Sequence, residues 1–447
     1  MIQKERIRAL NKKGANGGGY VLYWMQASQR TEYNHALEYA IATANTLSKP
    51  VIVYFGITDN FPEANERHYR FMLEGLKEVG DSLESKGISF VVRHESPEVG
   101  VLKLSEESAV LVVDRGYLDI QKKWRDYVAR RCNRPVIQVE SDAIVPVEEA
   151  SPKEEYSAAT FRPKLKRKLA DYLVTITGQE PHLNSLKLDF ESLDIKSTEA
   201  VVNHLNIDRS VKPVTAYRGG ISQAKKQLEE FINSKLDKYP ELRNDPNVDC
   251  LSHMSPYIHF GQISPLYIAL TVLGTGNPAA DKYLDELVIR RELSLNFVHY
   301  NQDYNKINGL PTWARKTLAE RAKDTRTYLY NREELEAAKT NDPYWNAAQK
   351  EMVSTGKMHG YMRMYWGKKI IEWSRSPEEA FTTAIYLNNK YELDGRDPNG
   401  FAGVAWCFGK HDRPWAGRRV FGNIRYMSAE GLRRKFDVEA YARRMSS

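Results

Sequence analysis

The 447-residue chain predicts two units in series: an α/β domain built on a doubly wound parallel sheet, then a larger all-helical domain. Three observations carry this. Short Val/Ile-rich runs alternate with amphipathic stretches over roughly the first 145 residues. A polar, weakly periodic connector follows, and from Ile221 onward helical spacing runs with few β-branched segments. At roughly 150 residues per domain, this length holds two or three.

In chain order, Tyr20–Met25, Val51–Ile57, Ile88–Arg93, Val110–Asp114 and Val136–Glu140 are continuous apolar runs of strand length. Amphipathic segments such as EYNHALEYAIATANTLSK and RHYRFMLEGLKEVGDSLESKG separate them. Strands apolar on both sides need cover on both faces, and right-handed crossovers supply it as a parallel, doubly wound sheet. This domain is expected over residues 1–176, a linker over 177–220, and the helical domain over 221–447. No GxGxxG follows the first strand and no GxxxxGK[ST] occurs; the glycines of GANGGG precede that strand and read as a flexible lead-in. Later helix candidates are SQAKKQLEEFINSKL, AADKYLDELVIRRELSLNFVHY and GYMRMYWGKKIIEWS, with no 20–50-residue repeat.

Composition narrows the function classes. Hydrophobic residues at 42% and charged residues at 28% exclude a disordered or fibrous chain. Mean hydropathy of −0.57, without an apolar run of about 18 residues, excludes a membrane helix. The N-terminus has no apolar signal segment, and Cys132, Cys250 and Cys407 lie too far apart for a disulfide framework or zinc ribbon. A cytoplasmic location is the expectation. Net charge is +7, but residues 410–447 hold ten basic against four acidic side chains. Such a tail fits a polyanion partner or a solvated face. Six of the eight tryptophans fall in the last third, which suits base stacking or core packing.

Several segments could carry chemistry. Ser252 and Ser255 precede Pro256, the pattern of a helix start whose free N–H groups attract anions; a plain N-cap is the simpler reading. Glu286, Arg290 and Asn296 fall along one side of a helix, where an ion pair alone would explain them. Trp366 and Trp373 stand two turns apart, so their rings share a face about 10 Å apart, more often core than function. Met362 and Met364 flank Arg363 on a polarizable surface. DGRDPNG mimics a calcium loop, but Arg396 and Pro398 occupy ligand positions. The loop bearing Trp406, His411, Arg413 and Trp415 suits a flat, phosphate-bearing ligand. His359 and His411 lack metal spacing, no metal site is expected, and no HExxH or GxSxG supports hydrolysis.

Together these segments resemble the photolyase/cryptochrome family, specifically class II cyclobutane pyrimidine dimer photolyases. The likeness lies in EEYSAATFRPKL, LRNDP, LSHMSPYIHFGQIS, DELVIRREL, TGKMHGYMRMYWGKKIIEW, YELDGRDPNGFAGVAW and IRYMSAEGLRRKFDVEAY. These are long, ungapped, in the family's order, and spread over nearly the whole chain. The resemblance implies an α/β antenna domain and a helical FAD-binding domain. It implies a lyase in which excited, fully reduced FAD (FADH−) passes an electron to a dimer flipped out of DNA; the ring splits and the electron returns.

Position by position, the resemblance makes Tyr239, Ser252, Met254 and Ser255 FAD-binding residues, with the serines at the pyrophosphate. Arg363 and Asp394 become an ion pair beside the flavin ring, and Asn388 the side chain at flavin N5. Glu286 becomes the carboxyl that bonds the dimer carbonyl, with Met364 and Trp406 as pocket walls. Trp366, Trp373 and Trp345 become the chain that photoreduces FAD. Arg243, Arg413, Trp415 and Arg425 become DNA or lesion contacts. Two features depart from some members: Arg290 stands where they have tryptophan, and the loop before His411 is one residue shorter. The implied partner is UV-damaged DNA, with the protein a monomer; for the first domain the alternatives are a deazaflavin, another antenna chromophore, or none. The other family role is a cryptochrome-like blue-light photoreceptor.

Overall fold

The computed structural model describes residues 2–14 and 17–445; residues 15 and 16 of the glycine-rich lead-in lie outside the description. The N-terminal sheet comprises β1 (Ile7–Ala9), β2 (Tyr20–Trp24), β3 (Val51–Ile57), β4 (Ser89–His94), β5 (Ser108–Asp114) and β6 (Val136–Val139). Spatial order is β1-β6-β5-β2-β3-β4. The five strands read from the sequence are mutually parallel. β1 is an addition: it pairs antiparallel with β6, Ile7 opposite Val139. Three residues flanked by charges carry no alternation to read, and so short a strand closes the sheet edge.

β2, β3 and β5 are buried along their whole length. Helices His35–Leu47 and Glu66–Ser85 cover one face through residues such as Leu37, Ile41, Leu73 and Leu76. Pro97–Ser105 and Asp119–Arg131 cover the other through Val101, Leu104 and Val128. Two-sided cover is what lets these strands be apolar throughout. Chain order reverses between β2 and β5, the place where open α/β sheets bind ligands. Here Asp114 fills part of that crevice. Its Oδ2 accepts from the backbone N–H groups of Gln26, Ala27 and Ser28 at 2.9–3.0 Å, and Tyr23 donates to its Oδ1 at 2.8 Å.

The connector is not free of structure. Helix Thr198–His204 sets Val201 and Val202 into the cluster on the β-sheet face. Two buried arginines join the domains. Arg30 bonds Asp142 at 2.8 Å and the Gly261 carbonyl at 3.0 Å. Arg67 donates to four carbonyls, those of Lys212, Met352, Val353 and Tyr391, at 2.5–3.3 Å. These include carbonyls left open near the ends of helices Pro343–Thr355 and Pro377–Tyr391. No helix among the described residues is long and apolar enough to cross a membrane.

In the helical domain, the segment predicted as one helix over 279–300 comes in three pieces: Ala280–Leu284, a π-turn at Asp285–Arg290, and Arg291–Tyr300. A π-turn takes one residue more per turn than an α-helix, so side chains beyond it rotate away from the expected face.

Candidate functional site

The site is built on helix Gly360–Trp373, which packs on Pro377–Tyr391 and Pro398–Cys407. Its contact with the last is close: a Cβ at Gly367 would stand 2.6 Å from Cys407 Sγ. The ion pair expected between Arg363 and Asp394 is part of a four-member network. Arg363 Nη2 lies 3.0 Å from Glu392 and 3.6 Å from Asp394. Lys357 takes the close position on Asp394 at 2.5 Å and donates to Ser255 Oγ at 2.7 Å. Burial pushes the Glu392 carboxyl up to about 7 against the pull of Arg363 and Lys357. Burial also works to raise Asp394, yet Lys357 and Arg363 hold it well below the usual carboxylate range. Lys357 and Glu392 went unread because each belongs to a turn sequence, with no periodicity to set it apart.

This network is incompletely satisfied. Arg363 Nε, Asn388 Oδ1, Glu392 Oε2 and Asp394 Oδ1 are buried and have no hydrogen-bond partner. Buried polar atoms are rarely left so without a ligand or water to meet them. Asn388 sits against Gly400, where a Cβ would come within 3.0 Å of its amide nitrogen. Nearby, Tyr283 donates to Ser252 Oγ at 3.2 Å and meets the Tyr239 ring edge-on at 5.5 Å, with Met254 buried alongside. Ser255 does not cap the helix it begins. Helix Ser255–His259 is five residues long with Met254 at its cap, and Ser255 serves Lys357 instead.

The π-turn redistributes the residues read along one helix side. Glu286 accepts from Arg243 at 3.0 Å rather than pairing with Arg290. Arg290 lies over the Trp406 ring, 5.1 Å from its centroid. Asn296 is buried elsewhere, bonding the backbone of Lys153 and Glu155 at 2.9 and 2.7 Å. Met364 Sδ lies 3.9 Å from Cys407 Sγ. His411 meets Trp406 edge-on at 6.0 Å. His359 caps helix Gly360–Trp373 by accepting from the Tyr361 N–H. Among the described residues no cluster of His, Cys, Asp and Glu could hold a metal.

Burial pushes both His359 and His411 down to about 4. The unfolded chain protonates these rings near pH 6.5 and the folded one only near 4, so stability falls as pH drops through that window. Acidification from pH 7 to 5 is expected to cost about 1–2 kcal/mol for each ring. Urea midpoints at the two pH values check this, and the double variant His359→Gln with His411→Gln should flatten the dependence.

The three tryptophans are brought together, though not as a stripe. Trp345, from helix Pro343–Thr355, lies between the two on helix Gly360–Trp373. It is parallel to Trp366 at 6.3 Å and edge-on to Trp373 at 5.7 Å. All three are at most 3% exposed. Trp366 Nε1 donates to Gln349 at 2.8 Å, and Trp345 Nε1 to the Trp366 carbonyl at 3.0 Å. Beyond Trp373 the rings continue through Tyr330 at 5.4 Å to the exposed Tyr328, a continuation the sequence did not reveal. On the surface, Trp415 is 40% exposed, with Arg413 and Arg425 over its ring at 5.4 and 5.1 Å.

An α/β domain with a mixed six-stranded sheet followed by a helical domain is the architecture of photolyase and cryptochrome structures. A Synechocystis cryptochrome structure matches with TM-score 0.74 at 14% identity, covering 96% of this chain and 88% of that one. A bacterial class III photolyase from Agrobacterium tumefaciens matches at 0.72 and 17%, covering 97% and 87%. These are likenesses of fold. Sequence relatives stand nearer. A deoxyribodipyrimidine photo-lyase from Methanothermobacter thermautotrophicus is 54% identical over all of this chain and 99% of its own. Enzymes of the same name from Arabidopsis thaliana and Potorous tridactylus are 41% and 40% identical, covering 98% and 100% of this chain and 92% and 85% of theirs. The DNA photolyase family model matches residues 21–182. The chain belongs to the DNA photolyase family and is an enzyme of the lyase class.

Proposed function

We propose that this enzyme repairs cyclobutane pyrimidine dimers in DNA by light-driven electron transfer, as a class II photolyase. The observation that carries this reading is that one helix serves two tasks. Gly360–Trp373 holds Arg363 in the unsatisfied polar pocket and, one turn on, sets Trp366 at the head of the buried tryptophan series.

The pocket residues fit FAD. Unpartnered buried atoms of Arg363, Asn388, Glu392 and Asp394 offer a donor and acceptors to a flat, hydrogen-bonding ring. Tyr239, Ser252, Met254 and Ser255 fit the pyrophosphate and ribose end. When bound as FADH−, the cofactor supplies under blue light the electron that opens the cyclobutane ring and regains it afterwards. The chain's own groups do the rest. Arg363, with Lys357, would keep positive charge next to the bound cofactor and Asn388 would offer it a hydrogen bond; Glu286 would bond the dimer carbonyl, and Met364 and Trp406 would wall out water. Arg413, Trp415 and Arg425 grip the DNA, their guanidinium groups on phosphates and the exposed indole against an unstacked base. A second chromophore such as a deazaflavin would take the cavity beyond the carboxyl ends of β2 and β3. That cavity is lined by Gln26, Gln29 and Arg396, each with a buried polar atom lacking a partner.

Trp366, Trp345 and Trp373 carry electrons inward from an external reductant. Because Trp345 bridges the other two, Trp345→Phe should slow photoreduction of the oxidised protein at least tenfold. Repair by chemically reduced protein should stay near the unaltered rate. Flavin absorbance under blue light with a thiol reductant follows the first, and dimer repair the second. Photoreduction at the unaltered rate would remove this path.

A further inference from the structure

Arg290 closes the π-turn that carries Glu286, and its guanidinium is unusually placed. Buried guanidinium groups are ordinarily met by carboxylates or carbonyls. Arg290 Nε is buried without a hydrogen-bond partner, and the Asp285 carboxylate stands 3.8 Å from it. That carboxylate is already engaged by Arg162 through contacts of 2.8, 3.0 and 3.1 Å. What braces Arg290 is the indole of Trp406, at 5.1 Å. Its flat side is therefore taken, while the side chain keeps 35% exposure. Glu286 does not neutralise it, being paired with Arg243 at 3.0 Å. Burial holds His411, on the other contact of Trp406, in its neutral form at pH 7.

We propose that Arg290 is a lesion-binding residue: its N–H edge takes an anionic oxygen of the dimer-bearing nucleotide pair while its flat side holds Trp406 in place. This rests on the reading of Glu286 and Trp406 as the lesion pocket. A guanidinium retains the planar wall that a tryptophan would give and adds charge with donors in a fixed fork. Two oxygens of such a ligand carry the charge. The phosphate joining the two pyrimidines is always anionic; a pyrimidine carbonyl is so only once the electron has arrived.

The test measures dark binding and repair per absorbed photon on duplexes carrying one thymine dimer, joined by the native phosphate or by an uncharged formacetal. The proteins are the unaltered one, Arg290→Ala, Arg290→Lys and Arg290→Trp, with flavin content and melting temperature as folding controls. If the phosphate is the source, Arg290→Ala loses about tenfold in dark affinity for the phosphate-linked dimer and nothing for the formacetal. If the carbonyl is the source, dark affinities hold, the repair yield falls in Arg290→Ala, and Arg290→Lys restores it. Arg290→Ala equal to the unaltered protein in both readouts overturns the proposal. So does Arg290→Trp showing both the unaltered preference for the phosphate linker and the unaltered repair yield, and this arm decides should the alanine variant not fold. Failure of the unaltered protein to bind or repair either duplex would count against the lesion-pocket reading itself.

Discussion

Glu286→Ala is expected to lower the rate of light-driven dimer repair by roughly ten- to a hundredfold while leaving bound flavin in place. Removing one preorganised hydrogen bond to a group that gains charge typically costs on that order or more. The free protein adds a condition. Glu286 is held by Arg243 at 3.0 Å, so it becomes available to the dimer carbonyl only as Arg243 turns to a DNA phosphate. Once released, the carboxyl must carry a proton to donate to that carbonyl, so Glu286→Gln, whose amide donates without one, should retain more activity than the alanine variant. Repair per photon on a dimer oligonucleotide, alongside the flavin spectrum, distinguishes these outcomes; an unchanged yield for alanine would remove Glu286 from the chemistry.

Arg363→Ala is expected to be the most destabilising change at the site, at about 3–5 kcal/mol, with loss of bound flavin. The guanidinium faces two buried carboxyls, Glu392 at 3.0 Å and Asp394 at 3.6 Å. Without it, Lys357 alone would have to balance both, and it already sits on Asp394. The strain passes to Glu392, whose carboxyl burial has already pushed up to about 7. Denaturant unfolding of the purified variant and its flavin-to-protein ratio measure the two losses separately. Adding Glu392→Gln to Arg363→Ala should recover part of the stability, because the second buried charge is then absent.

The parallel core of the sheet was legible in the sequence because strands buried on both sides must be apolar throughout, and helices between them must be amphipathic. β1 was not, since three residues hold no pattern. The tryptophan pair on helix Gly360–Trp373 was legible as spacing, but Trp345, supplied by another helix, reorders the three rings in space. Spacing also placed Glu286 and Arg290 correctly on one turn yet predicted the wrong partners. The π-turn departs from the α-helical period, and partners such as Arg243 and Trp406 come from distant segments. Arg363 and Asp394 were named through resemblance, but their closest neighbours, Glu392 and Lys357, are matters of packing that no one-dimensional pattern encodes.

The most direct measurement is repair of an oligonucleotide bearing a single cyclobutane thymine dimer by the reduced protein, under blue light and in the dark. Restoration of the intact thymines in light alone is the predicted result. A flavin-loaded protein that restores nothing in either condition would contradict repair and make the same pocket and tryptophans those of a photoreceptor.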